Sequence, residues 1–363
     1  MTETSRKIKL LILTPTLQCG GSERYVSILC NNIDTQKFEI LLAVLNNETP
    51  FYNIHKNITV IDLQVKQVRH SFFKIRKLVK EQQPDIIYST ANHLNIYLAL
   101  FKKMLFKNTI MVARESSVVS INTQHSKSPA FYNGLIKKYY NRFDRIICQS
   151  QYMQQDLVKN YNVPLQKTIV LHNPVQEPTG KVVAAKPGKF ITVARLSSEK
   201  GIDRLIKAIA LLTIDFTWYI IGEGPQHQQL QQLVNELQLQ KKVVFMGQKT
   251  TPFDGMEDAV LFLMGSHYEG FPNALLEAAA LGIPAIAFDV PGGINEIITD
   301  GANGHLVKDG DVKAFAAAIE KATQQDYNRP SIAADINNRF SVAKIIPTTE
   351  QLFVQLIKHS SVS

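Results

Sequence analysis

Short apolar runs alternate with amphipathic stretches along most of the 363 residues. In the first half, apolar runs at 10–13, 39–45, 59–63, 86–88, 109–113, 146–149 and 169–171 predict strands. Between them, apolar residues at helical spacing predict helices over 24–32, 72–80, 94–106 and 153–160. Strands alternating with helices in this way predict a parallel sheet covered on both faces. The pattern breaks after Asn173-Pro174, where Pro178, Gly180, Pro187 and Gly188 cluster, and this stretch reads as a linker. It restarts with strands predicted at 190–194, 217–221, 243–246, 260–263 and 285–288, and helices at 202–212, 226–237, 273–281 and 312–322. The same α/β architecture is therefore predicted twice, over 1–175 and over 176–340. The segment 341–363 reads as a terminal helix packing back on the first domain.

Composition narrows the class. With 45% hydrophobic and 20% charged residues, the chain is long enough for two self-sufficient cores. Cys19, Cys30 and Cys148 are far apart and odd in number, which suggests reduced thiols serving as buried filler in a cytoplasmic protein. No Cys or His spacing suits a metal. The N-terminal apolar run is too short to span a membrane and precedes no cleavage site, so it reads as the first core strand. The net charge of +9 suits an anionic partner: phosphates, nucleic acid or a membrane surface.

Candidate chemistry lies in the loops that follow predicted strands. The first is Thr14-Pro15-Thr16-Leu17-Gln18-Cys19-Gly20-Gly21-Ser22-Glu23-Arg24. Paired glycines before a helix permit close approach of a phosphate to the helix N-terminus, or simply make a tight turn. No GxGxxG fingerprint is present, so a dinucleotide is not indicated. In the second half, Arg195 ends a strand and Lys200 precedes a helix. That places two cations at the edge of a parallel sheet where such folds bind ligands. They suit a diphosphate; a solvated loop with a Glu199–Lys200 pair suits the spacing equally. Gly222-Glu223-Gly224-Pro225 is a further glycine turn after a strand. Glu269-Gly270-Phe271-Pro272-Asn273 then leads into a helix bearing Glu277. The two carboxylates can face one site, with the helix N-terminus between them ready for an anion. Asp309-Gly310-Asp311 imitates a metal-binding DxD, but Asp311 directly precedes a helix and reads as its N-cap.

These motifs together resemble the retaining glycosyltransferases of group 1, or family 4. The resemblance rests on 193–201, Gly222-Glu223-Gly224-Pro225, the Glu269…Glu277 pair, and Pro291-Gly292-Gly293-Ile294-Asn295-Glu296 with Asp300-Gly301 and Asn303-Gly304. In the first half it rests on Gly20-Gly21-Ser22-Glu23-Arg24 and His172-Asn173-Pro174. It covers nearly the whole chain and implies a GT-B fold, in which two Rossmann-like, doubly wound domains face each other across a cleft. Arg195 and Lys200 would hold the donor diphosphate, Glu269 would contact the donor sugar near the reacting carbon, and Glu277 would bind the ribose. Gly20, Gly21, Gly222, Glu223 and the backbone of Gly270, Phe271, Pro272 and Asn273 would complete the donor site. Glu23 and Arg24 fall on the acceptor side. Transfer would retain anomeric configuration and need no metal or other cofactor. One departure stands out: where many relatives carry a histidine after the fifth strand, this chain has Arg114-Glu115. Arg114, Glu115 and His93 are therefore acceptor-side candidates.

The first half interleaves basic with apolar and aromatic residues at 72–80, 100–107 and 135–145. Each segment suits an ordinary outer helix face. Together they suggest a peripheral anionic membrane surface at the cytoplasmic face of the inner membrane. The expected substrates are a nucleotide sugar, with UDP favoured, and a glycan acceptor linked to polyprenyl diphosphate, in surface polysaccharide assembly. No nucleic-acid-binding motif appears. A nucleotide-sugar epimerase of the same fold would release sugar without an acceptor. A phosphorylase would need a pyridoxal phosphate site, which is not evident. A non-catalytic membrane-associated scaffold would have no reason to keep Arg195, Lys200, Glu269 and Glu277.

Overall fold

The computed structural model describes residues 6–106, 109–177 and 182–360. Two compact units are present: Met1–Pro174 with Val342–Ser363, and Val175–Ser341.

The first unit runs β1 (Ile8–Thr14), α1 (Gly21–Asn32), β2 (Phe38–Val44), β3 (Thr59–Asp62), α2 (Phe72–Gln82), β4 (Ile86–Ser89), α3 (Asn92–Leu105), β5 (Ile110–Arg114), α4 (Val119–Gln124), α5 (Pro129–Tyr139), β6 (Arg145–Cys148), α6 (Gln151–Tyr161) and β7 (Thr168–Val170). Its sheet is parallel, in the order β3-β2-β1-β4-β5-β6-β7. Successive side chains of a strand point to opposite faces. Leu11 and Leu13 therefore join one core, with Ile87, Met111 and Ile146, while Leu10 and Ile12 join another, with Leu42, Tyr88 and Val112. This is why the strands read as unbroken apolar runs rather than alternating ones.

The second unit runs β8 (Lys186–Val193), α7 (Ile202–Ile209), β9 (Thr217–Ile221), α8 (His227–Glu236), β10 (Val243–Phe245), β11 (Ala259–Met264), α9 (Asn273–Ala280), β12 (Ala285–Asp289), β13 (Gly304–Lys308), α10 (Val312–Thr323) and α11 (Arg329–Phe340). Its parallel sheet has the order β10-β9-β8-β11-β12-β13. A last helix, α12 (Val342–Ser360), belongs to the first unit. It closes the face left open beside α1: Ile346, Leu352 and Phe353 enter that core, and the Phe353 ring meets Phe38 at 6.2 Å and Tyr88 at 5.4 Å.

Several expectations need correcting. Pro187 and Gly188 are not linker; they lie in β8, where the pairing with β11 slips register between Ala259 and Leu261. Pro178 and Gly180 fall outside the described residues. No clear period along the chain marks α4, α5, β13 or α11. In α5 only Ile136 is buried, and β13 is hidden behind a run of glycine turns. Cys30 and Cys148 are buried, but Cys19 is exposed. Asp311 does cap α10, accepting from the Ala314 N–H at 2.9 Å. Among the described residues no helix is long and apolar enough to cross a membrane. Phe73, Met104 and Phe131 are exposed on α2, α3 and α5, whereas Phe72 and Phe101 pack on the core.

Candidate active site

In the second sheet the chain first builds outward from β8 to β9 and β10, then returns to place β11 on the other side of β8. Loops diverge at such a reversal, and α/β sheets bind ligands in the crevice it leaves at the carboxyl ends of the strands. The loop after β8 carries Arg195 and Lys200. The loop after β11 carries Glu269. The fold therefore brings together residues far apart in sequence.

Backbone hydrogen bonds tie these loops side by side. Leu196 N–H donates to Glu223 O at 2.9 Å, and His267 N–H to Glu199 O at 2.9 Å. Glu269 N–H donates to Pro291 O and Gly293 N–H to Gly270 O, both at 3.0 Å. Such close approach leaves no room for some side chains. A Cβ on Gly222 (φ +144°) would stand 1.9 Å from the Ala194 carbonyl oxygen, and one on Gly292 (φ +134°) 1.8 Å from that of Glu269. The sequence suggested that Gly222 serves ligand approach; its first requirement is loop against loop.

The charges pair across this frame. Lys200 Nζ lies 2.6 Å from Glu269 Oε1, and the Ser266 hydroxyl donates to the same oxygen at 2.6 Å. Glu269 is buried, with 8% of its surface exposed. Arg195 is mostly exposed, and its Nη2 lies 2.6 Å from Glu199 Oε1. Glu199 does not pair with its neighbour Lys200: a single 3₁₀ turn at Ser198–Lys200 sends the two side chains to different partners. Burial pushes the Glu199 carboxyl up, but hydrogen bonds from Ser197 and Arg195 outweigh it and hold the pKa at about 2. α9 begins at Asn273 with Pro272 as N-cap, which offers no side-chain acceptor to the first-turn N–H groups. Glu277 is half-buried one turn further along, on the face of Asn273. The Phe271 side chain turns inward against Phe340, ring centroids 5.3 Å apart, leaving its backbone at the loop. Glu223 is exposed and bonds His227 Nδ1 at 2.8 Å.

The first sheet reverses between β1 and β4. Here Ser22 Oγ donates to Thr90 O at 2.8 Å, tying the glycine loop to the turn after β4. Gly20 is extended at φ −169° and is the N-cap of α1. The place its Cβ would take is filled by Glu23, whose Oε2 is 2.3 Å from that position. Thr16 Oγ1 donates to Glu23 Oε1 at 3.2 Å, and burial pushes this carboxyl up. Gly21 opens α1, Arg24 is half-buried, and His93 is exposed on the first turn of α3.

Arg114 and Glu115 are placed differently from the acceptor-side expectation. Both are fully buried. The Arg114 guanidinium lies 3.7 Å over the Tyr25 ring and donates to Asn173 Oδ1. Glu115 Oε1 accepts from Asn95 at 2.8 Å and from Tyr140 at 2.8 Å, and Oε2 accepts from Asn92 at 3.2 Å. Burial pushes the Glu115 carboxyl up against these bonds. The partners named here for both side chains come from the first unit.

Sequence reasoning passed over Arg204 and considered Asp309 only as part of a sequence that imitates a metal-binding DxD. Arg204 Nη1 lies 2.6 Å from Asp309 Oδ1, and its other nitrogens bond the Gly265 and Ser266 carbonyls. Helical spacing puts Arg204 on the side of α7 away from Ile202, Leu205, Ile206 and Ile209, where a cation reads as solvated, so the sequence carries no signal for its burial. Among the described residues, no group of three His, Cys, Asp or Glu stands ready for a metal.

Comparison with known proteins gives the family and the fold. Residues 177–338 match the model of "Glycosyl transferases group 1", and residues 19–177 that of "Glycosyltransferase Family 4". The chain is 30% identical over 319 residues to the N-acetylgalactosamine-N,N'-diacetylbacillosaminyl-diphospho-undecaprenol 4-alpha-N-acetylgalactosaminyltransferase of Campylobacter jejuni, covering 83% of this chain and 86% of that one. It is 26% identical over 256 residues to the lipopolysaccharide 1,6-galactosyltransferase of Escherichia coli K12, covering 68% of each. Among solved structures, HepE of Anabaena in complex with UDP superimposes with a TM-score of 0.79 at 20% identity, over 96% of this chain and 100% of that one. The chain belongs to the group 1 glycosyltransferases, and its two parallel α/β units are those of the GT-B fold.

Proposed function

We propose that this enzyme transfers a hexose or N-acetylhexosamine, with retention, from a UDP-sugar to a glycan carried on polyprenyl diphosphate, in surface polysaccharide assembly. The observation that carries the donor assignment is the Lys200–Glu269 contact of 2.6 Å, built at the reversal point of the second sheet beside Arg195 and the start of α9. Lys200 and Arg195 take the diphosphate. Glu269 meets the sugar beside the bond that breaks, and Glu277 holds the ribose. The acceptor hydroxyl attacks the anomeric carbon on the face from which the diphosphate departs. The leaving phosphate takes the hydroxyl proton, and the two cations stabilise the charge that develops. In this scheme the cations perform the electrostatic task that a metal performs in other transferases, so no cofactor is required.

Two similar proteins support the substrates: the Campylobacter jejuni relative is named for a diphospho-undecaprenol-linked sugar, and HepE was solved with UDP. The first unit supplies the acceptor side, through Glu23, Arg24 and His93. Exposed Phe73, Met104 and Phe131 among lysines support docking of this unit on an anionic lipid surface at the cytoplasmic face of the membrane. The test is UDP release from UDP-glucose, UDP-galactose, UDP-N-acetylglucosamine and UDP-N-acetylgalactosamine, with and without a bacterial lipid extract. Acceleration of one donor by the extract supports the reading. Equal release with and without extract points instead to sugar release without transfer, and no binding of any donor at millimolar concentration ends it.

A further inference from the structure

Arg204 is a buried cation on α7, with only 6% of it exposed. Helical spacing puts it on the opposite side of the helix from Ile202, Leu205, Ile206 and Ile209. Its guanidinium lies 4.0 Å from the centroid of the Phe288 ring. Nε donates to the Gly265 carbonyl, Nη2 to the Ser266 carbonyl, and Nη1 pairs with Asp309 Oδ1 at 2.6 Å. The guanidinium is a planar fork with fixed donor directions, so three partners on three sides fix its place. A buried cation is a poor way to stabilise a core, because an apolar residue of similar volume often does as well or better. Its use lies in what the fork grips.

Gly265 and Ser266 are the root of the loop that follows β11. Ser266 sends its hydroxyl to Glu269 Oε1 at 2.6 Å, the oxygen that Lys200 also takes at 2.6 Å. From the other side, His267 N–H donates to Glu199 O at 2.9 Å, and the Gly265 carbonyl presses against Gly201, where a Cβ would come within 2.1 Å. Lys200 and Gly201 lead directly into α7, the helix that carries Arg204. The guanidinium thus joins the helix behind Lys200 to the root of the Glu269 loop, and Asp309, from beyond β13, holds the fork in place.

We infer that Arg204, clamped by Asp309, is a positioning residue that sets where Glu269 stands relative to Lys200. This assigns Asp309 a role in the geometry of the site without a metal. The inference rests on the donor site proposed above.

The test compares wild type with Asp309→Asn, Arg204→Lys and Arg204→Met, on whichever of the four UDP-sugars named above wild type turns over. It measures kcat, KM for the donor, and the Kd of UDP by calorimetry. Misplacing a reacting group by ~1 Å costs on the order of 10²-fold in rate, so Arg204→Met should lose about that much in kcat. Asp309→Asn should lose about tenfold, and Arg204→Lys should fall between wild type and Arg204→Met. UDP affinity should stay within about threefold in all of them, because Lys200 and the ribose contacts remain. A general loss of structure would lower the active fraction and leave kcat per folded molecule and the rank of the lysine variant unmoved. If Arg204→Met does not fold, Asp309→Asn decides, since Asp309 is half exposed and outside the core. Wild-type kcat in both Asp309→Asn and Arg204→Lys overturns the positioning role while the donor site stands. A wild type that binds no UDP and turns over none of the four sugars overturns the donor site, and the positioning role falls with it.

Discussion

Lys200 Nζ and Glu269 Oε1 stand 2.6 Å apart although 69 residues separate them in sequence. Glu269 is buried, and its Oε1 is held by this lysine and by the Ser266 hydroxyl. Removing the lysine leaves a buried carboxylate with one neutral partner. Lys200→Met should therefore destabilise the second unit by about 1–3 kcal/mol. Adding Glu269→Gln should return part of that stability, a coupling on the order of 0.5–3 kcal/mol. Turnover should not return with it. Urea titrations of the four members of the cycle, with kcat for each, check both statements.

The glycine frame predicts opposite signs for chemically identical changes. Gly292→Ala and Gly222→Ala would put a Cβ within 2 Å of a backbone oxygen at positive φ, so each should destabilise by more than the roughly 1 kcal/mol of an ordinary unfavourable glycine replacement. Gly134, inside α5, has nothing within 4 Å of its Cβ position. Gly134→Ala should stabilise by about 0.5–1 kcal/mol. Denaturant midpoints measured in one buffer separate the two groups.

The C-terminal helix predicts a loss confined to the first unit. Phe353 is fully buried between Phe38 and Tyr88. Phe353→Ala should cost about 3–5 kcal/mol. UDP affinity of the folded protein should be unchanged, because Arg195, Lys200 and Glu277, to which the diphosphate and ribose contacts are assigned above, all lie in the second unit. A drop in UDP affinity without a drop in stability would contradict that division.

Acid should act through Glu199. Its folded pKa of about 2 lies below the ordinary glutamate value of 4.5, so it contributes stability above the unfolded pKa. That contribution is lost as pH falls from 4.5 toward 2. Glu199→Gln should flatten the dependence of stability on pH in this window and leave the slope above pH 6 alone. Stability measured at half-unit intervals shows whether the variant and wild type converge at the acid end.

Much of this architecture was legible before the structure. Buried parallel strands must be apolar on both faces, so β1, β5 and β12 announced themselves, and helical spacing located α1, α7 and α9. The residues of the donor loops were also visible, because strand ends at a sheet edge are few. What the sequence could not tell was which charge meets which. Glu199 and Lys200 are neighbours and look like a pair, yet one turn of backbone separates their partners. Arg114 and Glu115 sit at a strand end and read as site residues; whether a strand-end side chain turns inward is decided by neighbours such as Asn173, Asn95 and Tyr140, which come from distant elements. Arg204 was hidden for the same reason: its partners lie 61, 62 and 105 residues away.

The central claim is that the donor diphosphate binds where Lys200 meets Glu269. Calorimetric titration of UDP into wild type and Lys200→Met tests it most directly. A charge-assisted hydrogen bond contributes about 1.5–3 kcal/mol, so the account predicts UDP binding weakened by at least about tenfold in the variant. Equal affinity in the two proteins would place the diphosphate elsewhere and contradict the account.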